Sequence, residues 1–273
     1  MEFVKAIFLA VVEGVTEFLP ISSTGHLILL KDFVRFEQRE DFVAAFMVII
    51  QLPAILAVVV YFWSRLWPLG KPPEERDKVL MLWTKIGVAF LPAAVLGFLL
   101  DDFIEARLFD LVVVALALLI GGVVLLLLER GGREARFEHV GDASYGCALA
   151  VGFFQCLAMI PGTSRSAATI IGGMALGASR AAAAEFSFFL AIPTMLGATT
   201  LKLLKGGAAF TGGQWGLLAV GSVVSFAVAY AVAAFLMNYV RRHDFKLFGY
   251  YRIALALVVL AYFFFLSFDP KNL

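Results

Sequence analysis

The chain has 273 residues, 62% of them hydrophobic, and its mean hydropathy of +0.91 is far above that of a soluble domain. Its net charge of +1 gives no basic field for a nucleic-acid partner, and its charged residues cluster between apolar runs. These values exclude a water-soluble globular domain and a nucleic-acid-binding protein. Apolar runs of about twenty residues recur along the chain and indicate a polytopic α-helical membrane protein.

The first predicted element is a broken hairpin. Residues 2–19 form an apolar helical run that Glu13, Glu17 and Pro20 interrupt. After the hydroxyl-rich turn ISSTGH, a second short apolar segment leads into the solvated stretch KDFVRFEQRED. Two half-length helices that meet at Pro, Ser, Thr and Gly indicate a re-entrant hairpin, because irregular backbone at membrane depth survives only where it lines a polar cavity.

Full-length apolar spans and a second broken hairpin follow. Six transmembrane helices are predicted, at 41–63, 80–100, 109–128, 182–204, 214–237 and 249–268. The charged stretch 129–144 marks the middle of the chain, and the segment 145–177 is broken at IPGTSRS as the first hairpin is at ISSTGH. The predicted fold is therefore all-α, a single integral membrane domain over 1–273 with six transmembrane helices and two re-entrant helical hairpins.

The two halves resemble each other, roughly over 1–130 and 141–273. Leu19-Pro20 with Ser23 corresponds to Ile160-Pro161 with Ser164 at an offset of 141 residues. Each half holds one hairpin and three spans, and an odd number of crossings makes the second copy inverted. Inverted repeats with broken helices place a site near the membrane midplane, where the two broken turns meet.

Short loops rich in lysine and arginine predict the orientation. One face receives the larger set, namely Arg65, Lys71, Arg76, Lys78, Arg130, Arg133, Arg136, Arg180, Arg241, Arg242 and Lys246. The other face receives chiefly Lys31, Arg35, Arg39, Arg107, Lys202 and Lys205. The richer face is expected to be cytoplasmic, which places both termini outside.

Glu13 and Glu17 are four residues apart and share one face of the first half-helix. Two carboxylates this close cannot both ionise cheaply in a low dielectric, so one holds a proton or a cation bridges them. The alternative is a pair that faces water at a helix end. Apolar sequence on both sides favours a functional pair.

Both turns are rich in hydroxyl groups. Ser22, Ser23 and Thr24 precede the second half-helix, and Thr163-Ser164-Arg165-Ser166 forms the matching turn. Hydroxyl groups and the free N–H groups of a helix start can bind an anion. Capping of the helix is the alternative, since serine and threonine are common N-caps.

Arg165 and His26 are the remaining candidate site residues. Arg165 lies deep in apolar sequence, where its planar guanidinium suits phosphate oxygens bidentately. A structural ion pair with Glu13 or Glu17 is the alternative. His26 directly follows Ser-Ser-Thr-Gly and is a candidate acid, base or phosphate ligand.

These segments together resemble the undecaprenyl-pyrophosphate phosphatase family, also called the bacitracin-resistance family. The first signature of that family is present as EGVTEFLPISSTGH at 13–26, and the second as PGTSRSAAT at 161–169. The run AEFSFFLAIP at 184–193 is also similar. The resemblance covers essentially the whole chain, without a departure at the signature positions.

The resemblance implies hydrolysis of the terminal phosphate of undecaprenyl pyrophosphate, which gives undecaprenyl phosphate and orthophosphate and recycles the lipid carrier for cell-wall synthesis. It implies a divalent cation, Mg²⁺ or Ca²⁺, with Glu13 and Glu17 as its ligands. It also implies a polyprenyl pyrophosphate substrate in the bacterial cytoplasmic membrane and a site that opens to the outer, periplasmic face. We also consider that two copies of this chain form a homodimer.

A mechanism that fits these residues places the pyrophosphate between the two turns. Arg165, backbone N–H groups and the cation neutralise charge on the phosphoryl oxygens. Ser23 is the preferred nucleophile, with Glu17 or His26 handling its proton, and direct attack by water is the alternative. Further phosphate contacts are expected from the hydroxyl groups of Ser22, Thr24, Thr163, Ser164, Ser166 and Thr169.

A transporter is the competing class of protein. Inverted repeats, broken helices and charges at the midplane are equally typical of secondary transport or lipid flipping. The paired carboxylates and the hydroxyl-rich turns with an arginine favour hydrolysis.

Overall fold

A computed structural model of the protein describes residues 1–34, 36–108, 110–131, 134–206 and 210–267. Arg35 and Arg133, which contribute to the predicted orientation, lie outside these ranges, as do Phe109 and the C-terminal residues 268–273. The α-helices are α1 Glu2–Thr16, α2 Ser23–Val34, α3 Glu40–Ile49, α4 Gln51–Tyr61, α5 Trp63–Leu66, α6 Pro73–Leu108, α7 Leu111–Arg130, α8 Tyr145–Cys156, α9 Arg165–Ala175, α10 Arg180–Gly206, α11 Gly212–Val240 and α12 Lys246–Ser267.

Six helical segments within the described ranges are long and apolar enough to cross a membrane. They are Asp41–Tyr61, Pro73–Leu100, Leu111–Arg130, Arg180–Thr200, Gly212–Val240 and Lys246–Phe264. The predicted all-helical class and the six predicted spans are therefore confirmed. The first span consists of α3 and α4, which meet at Ile50, and the Ser225 hydroxyl donates a hydrogen bond to the Ile50 carbonyl at 2.7 Å.

Apart from the one-turn helix α5, four described helices outside the six spans are too short to cross a membrane, which takes about 20 residues. They form two consecutive pairs, α1 with α2 and α8 with α9, of 15, 12, 12 and 11 residues. Residues 17–22 connect the first pair and are called the first elbow below. A 3₁₀ turn at Leu157–Met159 and residues 160–164 connect the second pair, and we call 160–164 the second elbow.

The spanning helix α10 is the central element of the fold. Within its apolar window 67% of the residues are buried, against 28–33% for the other five spans. It packs against α9, α6 and α4, while α1 packs against α11, α8 against α6, and α7 against α12. Phe188 and Phe189 of α10 contact Phe62 and belong to the largest apolar core. From inside the protein, Ser187 of α10 contacts Arg165 and Thr169 of α9, the helix that follows the second elbow.

A fully buried arginine on α12 holds the two elbows together. The Arg252 guanidinium donates to the carbonyl of Pro20 in the first elbow at 3.4 Å, and to those of Gly162 and Thr163 in the second at 3.2 and 3.0 Å. It also donates to the Ala117 carbonyl of α7 at 3.1 Å. A guanidinium suits this task because it carries five N–H donors in one plane.

The neighbouring helix α7 leaves room for this guanidinium. A methyl group at Gly121 would come within 2.9 Å of Arg252 Cζ, so a side chain there would displace the arginine. At the adjacent Gly122, a methyl group would lie 2.8 Å from the Gly249 carbonyl oxygen of α12. Two consecutive glycines therefore let α7 and α12 approach closely enough for Arg252 to reach both elbows.

The substitution Arg252→Met is expected to destabilise the protein. It leaves buried carbonyl groups of three segments without their donor, and each such group costs about 1–3 kcal/mol. We expect the Tm in detergent to fall by at least about 5 °C, measured by intrinsic tryptophan fluorescence. Arg107→Met removes an exposed arginine and is the matched control. Equal Tm values for the two variants would show that Arg252 does not hold the elbows.

Candidate functional site

The residues before α2 and α9 share an unusual backbone conformation. Ser22 and Ser164 have φ angles of 72° and 69°, and they alone have positive φ among the non-glycine residues that the structure describes. Each hydroxyl accepts a hydrogen bond at 3.3 Å from a backbone N–H three residues later, that of Gly25 or Ala167. Both serines therefore cap a helix, and left-handed backbone of this kind clusters at functional sites.

The capping geometry matches the two elbows one residue away from the sequence correspondence. The sequence correspondence pairs Ser164 with Ser23, whereas the capping geometry pairs Ser164 with Ser22. The second elbow has one more residue between its proline and its capping serine. Gly162 supplies the tighter turn with a φ of 91°, and a methyl group on it would lie 2.8 Å from Val114 Cα.

A single carboxylate joins the two elbows. Arg165 Nη2 donates to Glu17 Oε1 at 3.2 Å, and the Ser23 hydroxyl donates to Glu17 Oε2 at 3.0 Å. The Glu17 and Arg165 side chains are each only 10% exposed. The predicted ion-pair alternative for Arg165 is thus present in this structure. The same carboxylate accepts the hydrogen bond of the Ser23 hydroxyl, as a general base does from a nucleophile.

Helix α10 fixes the other side of the guanidinium. Arg165 Nη1 donates to the Ser187 carbonyl at 2.9 Å and to the Ser187 hydroxyl at 3.3 Å, and its guanidinium lies 5.7 Å from the Phe18 ring centre. Within the described ranges, its buried Nε has no hydrogen-bond partner. The arginine is therefore held in place while one donor remains unused. Ser187 was missed by the sequence reasoning, although it lies in the family-like run 184–193.

Two of the predicted phosphate ligands, Ser166 and Thr169, form hydrogen bonds to other protein groups through their hydroxyl groups. Ser166 donates to the Leu19 carbonyl of the first elbow at 2.8 Å. The Thr169 hydroxyl lies 2.7 Å from the Ser187 hydroxyl and 2.9 Å from the Arg165 carbonyl. Both residues are about 1% exposed. These contacts favour a positioning role, whereas Thr24 and Thr163 are only half-buried.

Glu13 lies one turn before Glu17 and is fully buried. Among the residues that the structure describes, neither of its carboxylate oxygens has a hydrogen-bond partner within bonding geometry, although the Glu17 and Gln51 side chains lie close to it. A pair that faces water at a helix end does not fit this burial. A buried carboxylate without a partner is costly unless a proton or a cation neutralises it. Glu13 and Glu17 together offer the oxygen ligands that Mg²⁺ and Ca²⁺ prefer.

His26 makes hydrogen bonds through both ring nitrogens. Nδ1 lies 2.7 Å from the Ser22 carbonyl oxygen, and Nε2 lies 2.6 Å from the Tyr251 hydroxyl of α12. The two rings are stacked with their centres 5.6 Å apart. In the described part of the chain, His26 therefore contacts the first elbow through the Ser22 backbone and has no hydrogen bond to Glu17 or Arg165.

An apolar cavity of about 490 Å³ opens beside the ion pair. Glu17 and Arg165 line it together with apolar residues of α6, the 3₁₀ turn and α10, including Phe90, Ala94, Phe98, Met159 and Met195. Phe98 is 76% exposed, so the cavity opens on the side of the protein that would face lipid. Gln155 also lines the cavity, and its buried Nε2 has no hydrogen-bond partner in the part of the chain that the structure describes. This arrangement suits a ligand with an anionic head and a long apolar tail.

Sequence comparisons show which proteins the chain resembles. Residues 6–258 match the family model described as bacitracin resistance protein BacA. Undecaprenyl-diphosphatase 1 of Clostridioides difficile (strain 630) is 49% identical over 268 residues, which cover 97% of this chain and 98% of that protein. Undecaprenyl-diphosphatases of Enterococcus faecalis and Limosilactobacillus fermentum are 48% and 47% identical, covering 95% and 96% of this chain and 96% and 98% of their own lengths. The chain therefore belongs to the family of the bacitracin resistance protein BacA.

Proposed function

We propose that the protein is a membrane phosphatase that hydrolyses undecaprenyl pyrophosphate to undecaprenyl phosphate and phosphate. This reaction recycles the lipid carrier of cell-wall synthesis and supports resistance to bacitracin. The observation that carries the proposal is the ion pair of Glu17 and Arg165 at the wall of an apolar cavity, with the Ser23 hydroxyl on the same carboxylate. The names of the relatives given above specify the lipid.

Charge and shape together support this class of substrate. The pyrophosphate would lie at the polar wall of the cavity, near Arg165 and the N-terminal ends of α2 and α9, where backbone N–H groups favour anions. Arg252 adds a buried positive charge behind both elbows. The polyprenyl tail would leave through the apolar part of the cavity past Phe98, into the membrane.

The reaction begins when the Ser23 hydroxyl oxygen attacks the terminal phosphorus. A new O–P bond forms, the bond from that phosphorus to the bridging oxygen breaks, and undecaprenyl phosphate leaves. The hydroxyl proton passes to Glu17 Oε2, which already accepts its hydrogen bond at 3.0 Å. Water then hydrolyses the phosphoserine and restores the hydroxyl group. In the alternative reaction, water attacks the phosphorus directly and Ser23 is a phosphate ligand.

Arg165 has two roles in this scheme. In the present structure it neutralises Glu17 at 3.2 Å. When the guanidinium binds phosphate oxygens instead, Glu17 Oε1 is free to bind the divalent cation proposed below, while Oε2 keeps its hydrogen bond from Ser23. Ser187 keeps the guanidinium near the site through contacts to Nη1. Substrate binding thereby releases Glu17 from its ion pair.

A divalent cation fits the same residues. Glu13 and Glu17 would hold it, since both oxygens of Glu13 are buried without a hydrogen-bond partner among the described residues. The described residues contain no group of three or more His, Cys, Asp and Glu side chains that could hold a metal alone. Mg²⁺ is commonly bound by one or two carboxylates together with substrate phosphates. When bound, the cation would neutralise charge on the phosphoryl oxygens.

We further propose that the two halves form an inverted repeat with a re-entrant hairpin in each. The packing of α1 on α11 and of α8 on α6 supports this, because exchange of the halves converts one pair into the other. The matched capping geometry of Ser22 and Ser164 gives a second, independent argument. The distribution of lysine and arginine favours both termini outside, and the family resemblance favours a site that opens to the periplasmic side of a bacterial cytoplasmic membrane.

Phosphate release from undecaprenyl pyrophosphate by the purified protein in detergent tests the proposed function. We expect release that stops when a chelator removes divalent cations and resumes when Mg²⁺ or Ca²⁺ is added, because Glu13 and Glu17 need a cation between them and the substrate. Lipid accumulation in vesicles without phosphate release would contradict the proposal and favour the transporter.

Ser23→Ala tests the covalent reaction. If Ser23 is the nucleophile, we expect kcat to fall by at least roughly 10³-fold, as loss of a nucleophile does in covalent catalysis. Acid quenching of the wild-type reaction with ³²P-labelled substrate should trap a phosphoserine at residue 23. Ser64→Ala, in the short helix α5, is the control variant. A Ser23→Ala enzyme with substantial turnover and no trapped phosphoserine in the wild type would establish direct attack by water.

A further inference from the structure

Helix α12 presents two consecutive polar residues to the elbows. Arg252 binds their carbonyl groups, and Tyr251 places its hydroxyl 2.6 Å from His26 Nε2. The tyrosine ring is stacked on the imidazole with an angle of 10° between the ring planes. Its partner His26 is bonded at the other nitrogen to the residue that directly precedes Ser23. Tyr251 therefore lies at the end of a chain of contacts that leads to the proposed nucleophile.

The chemistry of these groups sets the direction of both hydrogen bonds. A backbone carbonyl can only accept, so the hydrogen between His26 and Ser22 belongs to His26 Nδ1, 2.7 Å from that oxygen. In a neutral imidazole Nε2 is then an acceptor, and the Tyr251 hydroxyl must donate to it. The opposite tautomer would place the Nδ1 lone pair against the lone pairs of the Ser22 carbonyl.

We propose that Tyr251 is a positioning residue, which acts through His26 on the turn that carries Ser23. Its hydroxyl and its stacked ring hold the imidazole in the Nδ1–H tautomer, and the imidazole in turn holds the Ser22 carbonyl. Ser22 has a left-handed backbone, with a φ of 72°. Such a conformation persists only when its surroundings hold it. The bond from His26 supplies part of that restraint, and the direction of the Ser23 hydroxyl depends on it.

The exposure of Tyr251 distinguishes this role from general packing. Tyr251 is 44% exposed, so its ring is not part of the apolar core and contributes little to stability. Tyr250, the adjacent residue of α12, is 61% exposed and offers a matched control, because Tyr250→Phe removes the same hydroxyl group one position away. The inference rests on the proposed function for its effect on turnover, but the tautomer of His26 does not depend on any activity.

Nitrogen NMR of the purified protein tests the inference directly. The chain has only 3 histidines, so imidazole labelling with ¹⁵N gives a small set of signals, and His26→Gln assigns the one of interest. We expect wild-type His26 to show the Nδ1–H tautomer with a hydrogen-bonded Nε2. In Tyr251→Phe the Nε2 signal should shift and the tautomer become mixed, whereas Tyr250→Phe should match the wild type.

The same variants are then compared as phosphatases. Loss of a partner that orients a functional histidine typically costs about 10–100-fold, and we expect this loss in kcat for Tyr251→Phe with KM nearly unchanged. An Nε2–H tautomer in the wild type would overturn the inference without any variant. So would a shifted His26 signal with wild-type kcat, or a reduced kcat with an unchanged His26 signal. If neither the wild type nor any variant releases phosphate, the proposed function fails. The NMR result then still shows whether the Tyr251 hydroxyl donates to His26.

Discussion

A buried cation bound by backbone carbonyls is the constraint on which the rest of this structure depends. Arg252 is fully buried, and its partners come from the first elbow, the second elbow and α7. Irregular backbone at membrane depth leaves carbonyl groups that neither water nor a helix satisfies. One guanidinium satisfies several of them at once and fixes the two elbows relative to each other. Gly121 and Gly122 of α7 leave the space that the Arg252 guanidinium occupies.

Once the elbows are fixed, the side chains on them form one unit. Glu17 comes from the first elbow and Arg165 from the helix that follows the second, and they meet at 3.2 Å. Replacement of a buried ion pair by packed apolar residues is often neutral or stabilising, so stability alone does not account for this pair. A phosphorylated substrate does account for it, because the arginine can exchange one anion for another. Glu13, whose carboxylate oxygens have no hydrogen-bond partner among the described residues, would be available to a cation that binds together with the phosphate.

The sequence predicted the helices and the main site residues because both depend on strong local signals. Long apolar runs predict spans, and Glu13, Glu17 and Arg165 are conspicuous within apolar segments. Arg252 is also a charged residue within an apolar segment, but it lies inside the predicted span 249–268 and was not predicted as a functional residue. Tyr251 and Ser187 are not conspicuous in the sequence, because tyrosine and serine are common in membrane helices. Only the packing of α12 and α10 brings Tyr251 to His26 and Ser187 to Arg165. Which hydroxyl caps a helix also depends on backbone φ angles, so the sequence left capping and phosphate contact open for Ser22.

The central claim is that the two elbows form a single catalytic site, and a double-mutant cycle on Glu17→Gln and Arg165→Gln tests it most directly. The kcat/KM for phosphate release from undecaprenyl pyrophosphate is measured for the wild type, both single variants and the double variant. Residues that act as one unit give strongly non-additive losses, so each single change is expected to cost roughly 10³-fold and the double change little more. Losses that multiply in the double variant, or a single variant with nearly wild-type turnover, would contradict the account.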